Sequence, residues 1–449
     1  MSTSTITHTT AIELQSSDTA LEERQTRHGH STAADQDEVI QASLIADSQV
    51  PDGGYGWVVI FGCAVVTWWF VGTSYCWGVT QAALVQRGLS SPSTLSFVGS
   101  LTTACISFLA VLNARVIRKL GSRITALLGV FLLGLGEILS GFATENIGGL
   151  FMTAGVITGI GTSLCFMVVS VTPAQYFKKK RGVANGIVYA GGGLGGAVIS
   201  FIMNSLLTEL GPAWAFRVIG LITLGTGLPA AYLIKERTTI RPSAFIEWRL
   251  FRDVRFAVLF AAGAVATFPL FVPPFFLPLY ANSLKLSSSI GAGLVAAFNF
   301  SSAVGRLICG FGSDSVGPLN TLFVSLLLSA VSMLVLWPVS ESLGPLVAFV
   351  VINGMANGGF FATMPTVIGN VFGSARVSVA MGMIVTGWAG GYLLGAPIAG
   401  YILSASGGQQ KGIDAYHPAI FYAGSMALGA TSLVGFVRLK TDRHLLKKL

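Results

Sequence analysis

The sequence comprises 449 residues, of which 52% are hydrophobic and only 10% are charged, and its mean hydropathy is +0.71. A water-soluble domain carries about 25% charged residues because its surface must be hydrated, so this composition excludes a soluble enzyme or binding domain. The formal net charge of +8 needs a separate explanation, which the placement of lysines and arginines along the chain supplies.

The first predicted element is a tail over residues 1–51. It is rich in serine and threonine and holds eight acidic residues against Arg24 and Arg27, with neither an apolar signal core nor a helical stripe. These features predict a solvated, disordered cytosolic tail. A phosphorylated regulatory or sorting tail is the sharper alternative.

Twelve apolar segments follow the tail, separated by charges, prolines and polar turns. About 20 apolar residues in a helix cross the hydrocarbon core, and only helices or closed barrels satisfy their backbone hydrogen bonds there. Barrel strands alternate in polarity, whereas these segments do not, so the sequence predicts an all-α membrane protein. The predicted spans are 57–82, 94–113, 123–143, 148–172, 182–206, 214–234, 256–281, 290–312, 318–338, 344–368, 376–403 and 416–437.

The loops between these spans are asymmetric in positive charge. With the N-terminus in the cytosol, that side holds 22 lysine and arginine residues and the opposite side three, which predicts that both termini are cytoplasmic. The net charge then reflects contact with an anionic leaflet, and nucleic acid is not an expected partner. We expect the plasma membrane, with the vacuolar membrane as the alternative.

The chain also repeats itself at an offset of about 196 residues. Gly121, after the second span, corresponds to Gly317, after the eighth, and Gly186 in the fifth span corresponds to Gly382 in the eleventh. The repeat predicts two pseudo-symmetric six-helix halves, at 52–234 and 256–437. A cytosolic linker at 235–255 joins them, and a basic tail at 438–449 ends the chain.

Three motifs are associated with these spans. The sequence Asp52-Gly-Gly-Tyr-Gly-Trp57 opens the first span, and Tyr176-Phe-Lys-Lys-Lys-Arg-Gly-Val-Ala-Asn-Gly186 leads into Ala190-Gly-Gly-Gly-Leu-Gly195 in the fifth. The third, Gly310-Phe-Gly-Ser-Asp-Ser-Val-Gly317, ends the eighth span and keeps an acid, Asp314, where the corresponding loop after the second span has Arg118.

The first two motifs resemble signatures of the monocarboxylate-porter family of the major facilitator superfamily, in the style of its fungal members, and the third resembles the short basic loop of the superfamily. We expect Asp314 to latch the halves by capping a neighbouring helix or pairing with arginines in one state; a solvated helix end is the alternative. The glycines are interpreted as close-packing positions. The conformational residues so predicted are Asp52, Gly53, Gly54, Trp57, Arg181, Gly186, Gly191, Gly195, Asp314 and Gly317.

The resemblance implies a secondary transporter of the major facilitator fold, whose substrate site lies between the halves near the membrane midplane. A monomer without a cofactor or a bound metal is expected, with a small-molecule substrate and the lipid bilayer as its partners. The sequence holds no ATPase motif and no catalytic cluster, so an enzyme is not expected.

Arg306, inside the eighth span, is the leading candidate for substrate binding. Burying a cation in a membrane costs at least about 2.5 kcal/mol, so such a residue is expected to have a use. In the family this helix carries an arginine that binds the substrate carboxylate, and a guanidinium holds a carboxylate through two parallel hydrogen bonds. The family's animal members add an aspartate one turn earlier, where this chain has Ser302, and a lysine in the first span, whereas residues 51–114 contain none. Whether protons accompany the solute is therefore open.

The other candidates are polar or aromatic residues inside spans. Tyr75, Asn299, Asn357 and Phe360, with Phe361 beside it, are predicted to line the substrate cavity, although asparagines also bind helices together and phenylalanines also face lipid. Glu137 in the third span is either a proton carrier or, given the peripheral position of that helix in the family, a hydrogen-bonded structural group.

These residues support one main hypothesis and two alternatives. The main hypothesis is a carrier of a monocarboxylate or related organic anion that works by alternating access. The first alternative is an efflux carrier for a hydrophobic or aromatic secondary metabolite. The second, from another functional class, is a membrane sensor that carries no solute.

Overall fold

The computed structural model describes residues 52–237, 248–372, 374–408 and 411–441. The predicted tail at 1–51, the central part of the predicted linker and the end of the C-terminal tail lie outside the described residues, as do the side chains of residues 118, 372 and 374–378.

The described residues form a bundle of helices, twelve of which are long and apolar enough to span a membrane when one bent pair is taken as a single span. The prediction of twelve spans is thereby confirmed, and the described ranges contain no strand. The helices are α1 (Gly56–Gln86), α2 (Pro92–Phe108 with Ala110–Ile117), α3 (Lys119–Ser140), α4 (Ile147–Gln175), α5 (Arg181–Glu209), α6 (Gly211–Leu233), α7 (Val254–Ser283), α8 (Ser288–Ser315), α9 (Pro318–Leu336), α10 (Leu343–Val371), α11 (Val379–Ala405) and α12 (Ile413–Thr441).

Apolar side chains occupy both the interior and the outer surface of the bundle. Large residues such as Phe61, Leu221 and Val324 are 58–61% exposed, whereas Phe70, Phe275 and Trp388 are buried. A helix that is apolar all round is typical of a membrane span, because lipid replaces water as its surroundings.

Two pairs of helices make the most extensive contacts between the first six spans and the last six. α5 packs along α8, and α2 packs along α11. The substrate-site region described below lies between these pairs. The residue boundaries given above for the two halves remain a prediction. We name the face with the starts of α1 and α5 and the end of α8 the inner face, following the predicted orientation, and the opposite one the outer face.

The connections from α2 to α3 and from α8 to α9 each contain a glycine with an unusual backbone conformation, in the first turn of α3 and directly before α9. Gly121 has a φ of +79° and Gly317 a φ of +107°, values that favour glycine because a Cβ clashes there. Each glycine allows the chain to reverse within a few residues before the next span. This shared conformation agrees with the repeat found in the sequence.

α7 is interrupted near its middle, although the sequence analysis predicted a continuous span. Its two parts, Val254–Leu270 and Val272–Ser283, meet at Phe271, two residues before Pro273 and three before Pro274. A proline has no backbone N–H, so each of these residues leaves the carbonyl four positions earlier without its helical partner. For Pro274 that carbonyl belongs to Leu270.

Candidate substrate site

A cavity with about 360 Å³ of empty space lies at the centre of the bundle, between the two sets of six helices. Its wall is mostly aromatic. α1, α4 and α5 contribute Phe70, Tyr75, Phe166 and Tyr189. α7, α10 and α11 contribute Phe271, Phe361 and Tyr392. The cavity therefore forms where the sequence predicted a substrate site, near the middle of the spans.

Arg306 on α8 is the charged residue of this wall, and it is fully buried. Its Nη1 donates a hydrogen bond to the backbone carbonyl of Tyr189 on α5. The guanidinium carbon also lies 5.7 Å from the ring centre of Tyr75 and 5.4 Å from that of Phe361, within the range of cation–π attraction. Arg306 thus contacts both sets of helices and faces the cavity.

The positive charge of Arg306 has no carboxylate partner within the part of the chain that the structure describes. Its Nε is buried without a hydrogen-bond acceptor there, and so is the hydroxyl of Ser302, the residue that replaces the aspartate of the resemblance. A carbonyl and two ring faces solvate a buried cation only in part. The arrangement leaves a positive charge available to an anion that enters the cavity.

Tyr75 lines the cavity as predicted, but its hydroxyl is already in use. It donates to Oδ1 of Asn357 on α10 at 2.9 Å, and Nδ2 of Asn357 donates to the backbone carbonyl of Leu270 at 2.9 Å. The second bond supplies the partner that Pro274 removes from Leu270. Asn357 therefore lies behind the cavity wall and connects α1 to the break in α7.

Asn299 and Phe360 also lie outside the cavity wall. Asn299 is fully buried between α8 and α5, where a Cβ on Gly196 would lie 2.8 Å from its Cγ. Its amide has no partner among the described residues. The ring of Phe360 lies behind Phe361, with ring centres 5.5 Å apart. Of the predicted substrate contacts, the structure brings Arg306 and Tyr75 to the cavity.

Several wall residues were not predicted from the sequence, among them Tyr189, Phe271 and Tyr392. Tyr189 directly precedes the glycine-rich motif of α5, and Phe271 directly precedes Val272 and the proline pair of α7. The adjacent motif is therefore the sequence signal for each of these two residues. Tyr392 lies in an apolar span with no local signal. Without knowledge of helix rotation, a tyrosine there is indistinguishable from a packing residue.

Glu137 on α3 is away from the cavity. Its side chain is buried, at 6% exposure, and it has no hydrogen bond or ion pair among the described residues. The structure therefore gives no support to the hydrogen-bonded structural role that the position of α3 suggested. A buried carboxyl without a polar partner favours its neutral, protonated form.

At the inner face, two carboxylates converge on the start of α5. Asp314 at the end of α8 accepts a hydrogen bond from the backbone N–H of Val183, with 3.2 Å between N and Oδ2. Asp52 accepts from the backbone N–H groups of Lys178 and Lys179 at 2.7 and 2.9 Å. Asp52 thus binds the segment that leads into α5, and α1 has no side-chain cap at its start.

The remaining residues of the first motif strengthen the same corner of the bundle. Trp57 packs on Phe177, with 4.7 Å between ring centres, and Tyr55 donates to the carbonyl of Leu233 at 3.1 Å. Gly54 adopts a φ of +62°, which a residue with a Cβ adopts only with strain. The motif therefore connects α1, α5 and α6 among the first six helices.

The glycines of α5 serve two different interfaces. Gly191 and Gly195 contact the backbone of α1 at Ala64 and Trp68. Gly186 and Gly193 contact α8, where a Cβ on Gly193 would lie 2.7 Å from the backbone nitrogen of Ala303. Arg181, at the start of the helix, donates to the carbonyl of Phe177 at 3.3 Å. Only the α8 contacts cross between the two sets of helices.

A second cavity, with about 900 Å³ of empty space, opens at the outer face between α1, α5, α7 and α8. Gln86, Arg87, Asn204 and Asn282 are among its polar residues. Close contact between Gly78 on α1 and Pro274 on α7 separates it from the central cavity. The bundle thus has an outer vestibule and a central cavity, with a constriction between them.

Comparison with known proteins places this architecture in a family. The family model for the Major Facilitator Superfamily matches residues 57–339 and 259–448. An MFS-type transporter of Penicillium oxalicum is 26% identical over 87% of this chain and 93% of its own length. The aspyridones efflux protein of Emericella nidulans is 29% identical over 85% of this chain and 78% of its own length.

Two further similarities extend beyond fungi. Monocarboxylate transporter 4 of Gallus gallus is 27% identical over 79% of this chain and 78% of its own length. The crystal structure of the human organic anion transporter MFSD10 (TETRAN) superposes with a TM-score of 0.65, at 14% identity, over 85% of this chain and 100% of that one, which shows a common fold. The family predicted from the motifs is confirmed: the chain is a membrane transporter that belongs to the Major Facilitator Superfamily.

Proposed function

We propose that this chain is a secondary active transporter that moves a small organic anion across a membrane by alternating access, with Arg306 as the group that binds the anion. One observation carries the proposal. A fully buried guanidinium, without a carboxylate partner in the described part of the chain, faces the cavity between the two sets of six helices.

The rocking motion is supported by the asymmetry of the contacts at the two faces. At the inner face, the Asp314 cap and the glycines of α5 hold α5 against α8. At the outer face, the vestibule separates α5 from the start of α8. Release of the inner contacts and closure of the vestibule would expose the central cavity to the other side.

Transport assays in proteoliposomes test this function. The full-length chain is reconstituted, and uptake of labelled monocarboxylates and larger aromatic acids is measured with and without a pH gradient. Arg306→Ala is expected to reduce anion uptake at least tenfold, because the anion loses a charged, bidentate partner. Unchanged anion uptake in this variant would falsify the assignment of Arg306.

Arg217→Ala is the matched control. Arg217 is also an arginine inside a span, it also donates to a backbone carbonyl, that of Gly141 at 3.2 Å, and it also lies over a ring, that of Phe142 at 4.0 Å. It is absent from the lining of the central cavity. We expect Arg217→Ala to retain anion uptake, which separates loss of the anion site from general loss of an arginine inside a span.

A proton gradient is the second element of the proposal, with Glu137 as the group that carries the proton. Its burial without a polar partner supports this role, because protonation removes the unpaired charge. Glu137→Gln keeps the shape and fixes the neutral state, so we expect it to abolish stimulation by a pH gradient and to leave substrate exchange intact. If the stimulation persists, another group carries the proton, or none does.

Efflux of an aromatic metabolite is a second candidate function. The aromatic cavity wall supports it, as does the similarity to the aspyridones efflux protein. Inside-out vesicles that accumulate an aromatic solute while right-side-out vesicles do not would favour export.

We place both termini in the cytosol, as the charge distribution predicts, and the protein in the plasma membrane. Antibody access to epitope tags at the two termini of intact cells tests this placement.

A further inference from the structure

The hydrogen-bonding groups of the central cavity are mostly engaged with the protein itself. Ser74 donates to the carbonyl of Phe70 at 2.7 Å, and Thr103 donates to that of Ser100 at 3.0 Å. The hydroxyl of Tyr75 is bonded to Asn357. A ligand therefore finds few free donors on this wall.

The other two tyrosines of the wall, Tyr189 and Tyr392, differ from each other in this respect. The Tyr189 hydroxyl is bonded to that of Ser170 at 2.8 Å. The Tyr392 hydroxyl has no hydrogen-bond partner in the described ranges, and its side chain is only 2% exposed. Buried tyrosine hydroxyls usually find a partner, so Tyr392 presents an unused donor, as does Nε of Arg306.

The positions of the rings hold Tyr392 at the cavity. Its ring packs edge-on against Phe271, with 5.7 Å between ring centres, and against Trp388 at 5.9 Å. Phe271 in turn lies 5.2 Å from the ring of Tyr75. Aromatic rings prefer such tilted and edge-to-face contacts because their edges are positive and their faces negative. A flat aromatic ligand would extend this network, whereas a saturated body would interrupt it.

From these observations we infer that the site selects a compact aromatic or conjugated acid, whose acidic oxygens are held by Arg306 and the hydroxyl of Tyr392 and whose ring packs among the aromatic residues. The inference rests on the proposed function, since it specifies the anion that Arg306 binds. The aromatic side chains leave only a narrow cavity, which favours a compact ligand.

Hydroxylated aliphatic acids such as lactate fit this cavity less well. A small saturated acid covers little of the aromatic wall and gains none of its ring contacts, although the serine and threonine hydroxyls there can still accept a hydrogen bond from its hydroxyl. Tyr392 is consequently the residue that we assign to substrate selectivity, beside the charge that Arg306 supplies.

Four labelled probes test the inference on the reconstituted full-length chain: benzoate, 1-naphthoate, cyclohexanecarboxylate and lactate. Benzoate and cyclohexanecarboxylate have the same charge and similar size but differ in aromaticity. We expect the two aromatic acids to be bound and transported with at least tenfold higher apparent affinity than the other two. Equal affinities for benzoate and cyclohexanecarboxylate would overturn the assignment of an aromatic acid.

Tyr392→Phe keeps the ring and removes the hydroxyl. We expect it to weaken apparent affinity for the aromatic acids about fivefold to tenfold while the maximal rate changes less. Tyr416→Phe is the matched control, because Tyr416 is also buried and its hydroxyl is bonded to Ser283 at 3.2 Å, away from the cavity. An unchanged affinity in Tyr392→Phe would remove this residue from the site.

The outcomes separate this inference from the proposed function. If all four acids are carried equally and Arg306→Ala abolishes their uptake, the protein is an anion transporter and the inferred selectivity is wrong. If uptake of every acid is independent of Arg306, or no acid is carried, the proposed function fails and the inference fails with it.

Discussion

Replacement of Asn357 by alanine is the change that most directly tests how the site is connected to the break in α7. Asn357 accepts a hydrogen bond from the Tyr75 hydroxyl and donates one to the Leu270 carbonyl, each at 2.9 Å. All three groups are away from solvent, and the Leu270 carbonyl has no helical donor because Pro274 lacks an N–H. The substitution leaves two polar groups without partners.

The expected loss of stability follows from these two bonds. A buried polar group without a partner costs about 1–3 kcal/mol in soluble proteins, whereas hydrogen bonds in membrane proteins average about 0.6 kcal/mol because the unfolded chain also finds partners in lipid. Two groups then give a decrease of about 1–6 kcal/mol in the free energy of unfolding. Tyr75→Phe removes one of the two bonds and is expected to cost roughly half as much.

Asn353→Ala is the control for this experiment. Asn353 lies one turn earlier on the same helix, is fully buried, and donates to the Ser332 hydroxyl at 2.8 Å. That bond joins α10 to α9 and makes no contact with α1. We expect both asparagine variants to lower the unfolding free energy measured by denaturant titration in detergent micelles.

Of the two variants, only Asn357→Ala is expected to alter the distance distribution between spin labels at the outer ends of α1 and α7, because Asn357 bonds to both helices and Asn353 to neither. If Asn353→Ala changes that distribution as much, or if Asn357→Ala is as stable as the wild type, the hydrogen-bonded link does not hold α1 and α7 together and the reasoning is refuted.

Two further predictions concern the contact between α5 and α8. Asp314→Ala removes the acceptor for the Val183 N–H, and a charge at a helix start contributes about 0.3–1 kcal/mol. Spin labels at the inner ends of α5 and α8 should therefore show an open population raised up to about fivefold. An unchanged distance distribution would exclude a latch. Gly193→Ala places a methyl group 2.7 Å from backbone atoms of α8, and such overpacking costs about 1–3 kcal/mol. The variant should therefore have a lower melting temperature and a lower transport rate. Gly225→Ala is the control, because a Cβ there has nothing within 4 Å, and it should lower neither quantity.

The twelve spans were predictable because their cause is local. Lipid requires about 20 apolar residues and internal backbone hydrogen bonds in each span. A run of that length without charges is therefore a direct sequence signal for a span. The same reasoning identified Arg306, because the cost of a charge in a membrane does not depend on knowing its neighbours. Arg306 lines the central cavity, and its role in substrate binding stays a prediction.

The partners of individual side chains were not predictable in this way. Asn357 was expected to face the substrate, but its amide is engaged by Tyr75 and by a carbonyl that a distant proline leaves free. Asp52 was predicted from its motif at the start of the first span, but it binds N–H groups more than a hundred residues later in the chain. Such pairings depend on the rotation of each helix about its axis. A helix that is apolar on every face gives no sequence signal for that rotation.

The hydrogen bond from Arg306 to the Tyr189 carbonyl has a thermodynamic consequence for the transport cycle. It joins α8 to α5, so the guanidinium that faces the ligand also fastens the two sets of helices to each other. An anion that draws the guanidinium toward itself must weaken that fastening, and by linkage any state in which the fastening is broken must bind the anion more tightly. Anion binding in the cavity and separation of α5 from α8 are then thermodynamically coupled through the side chain of Arg306.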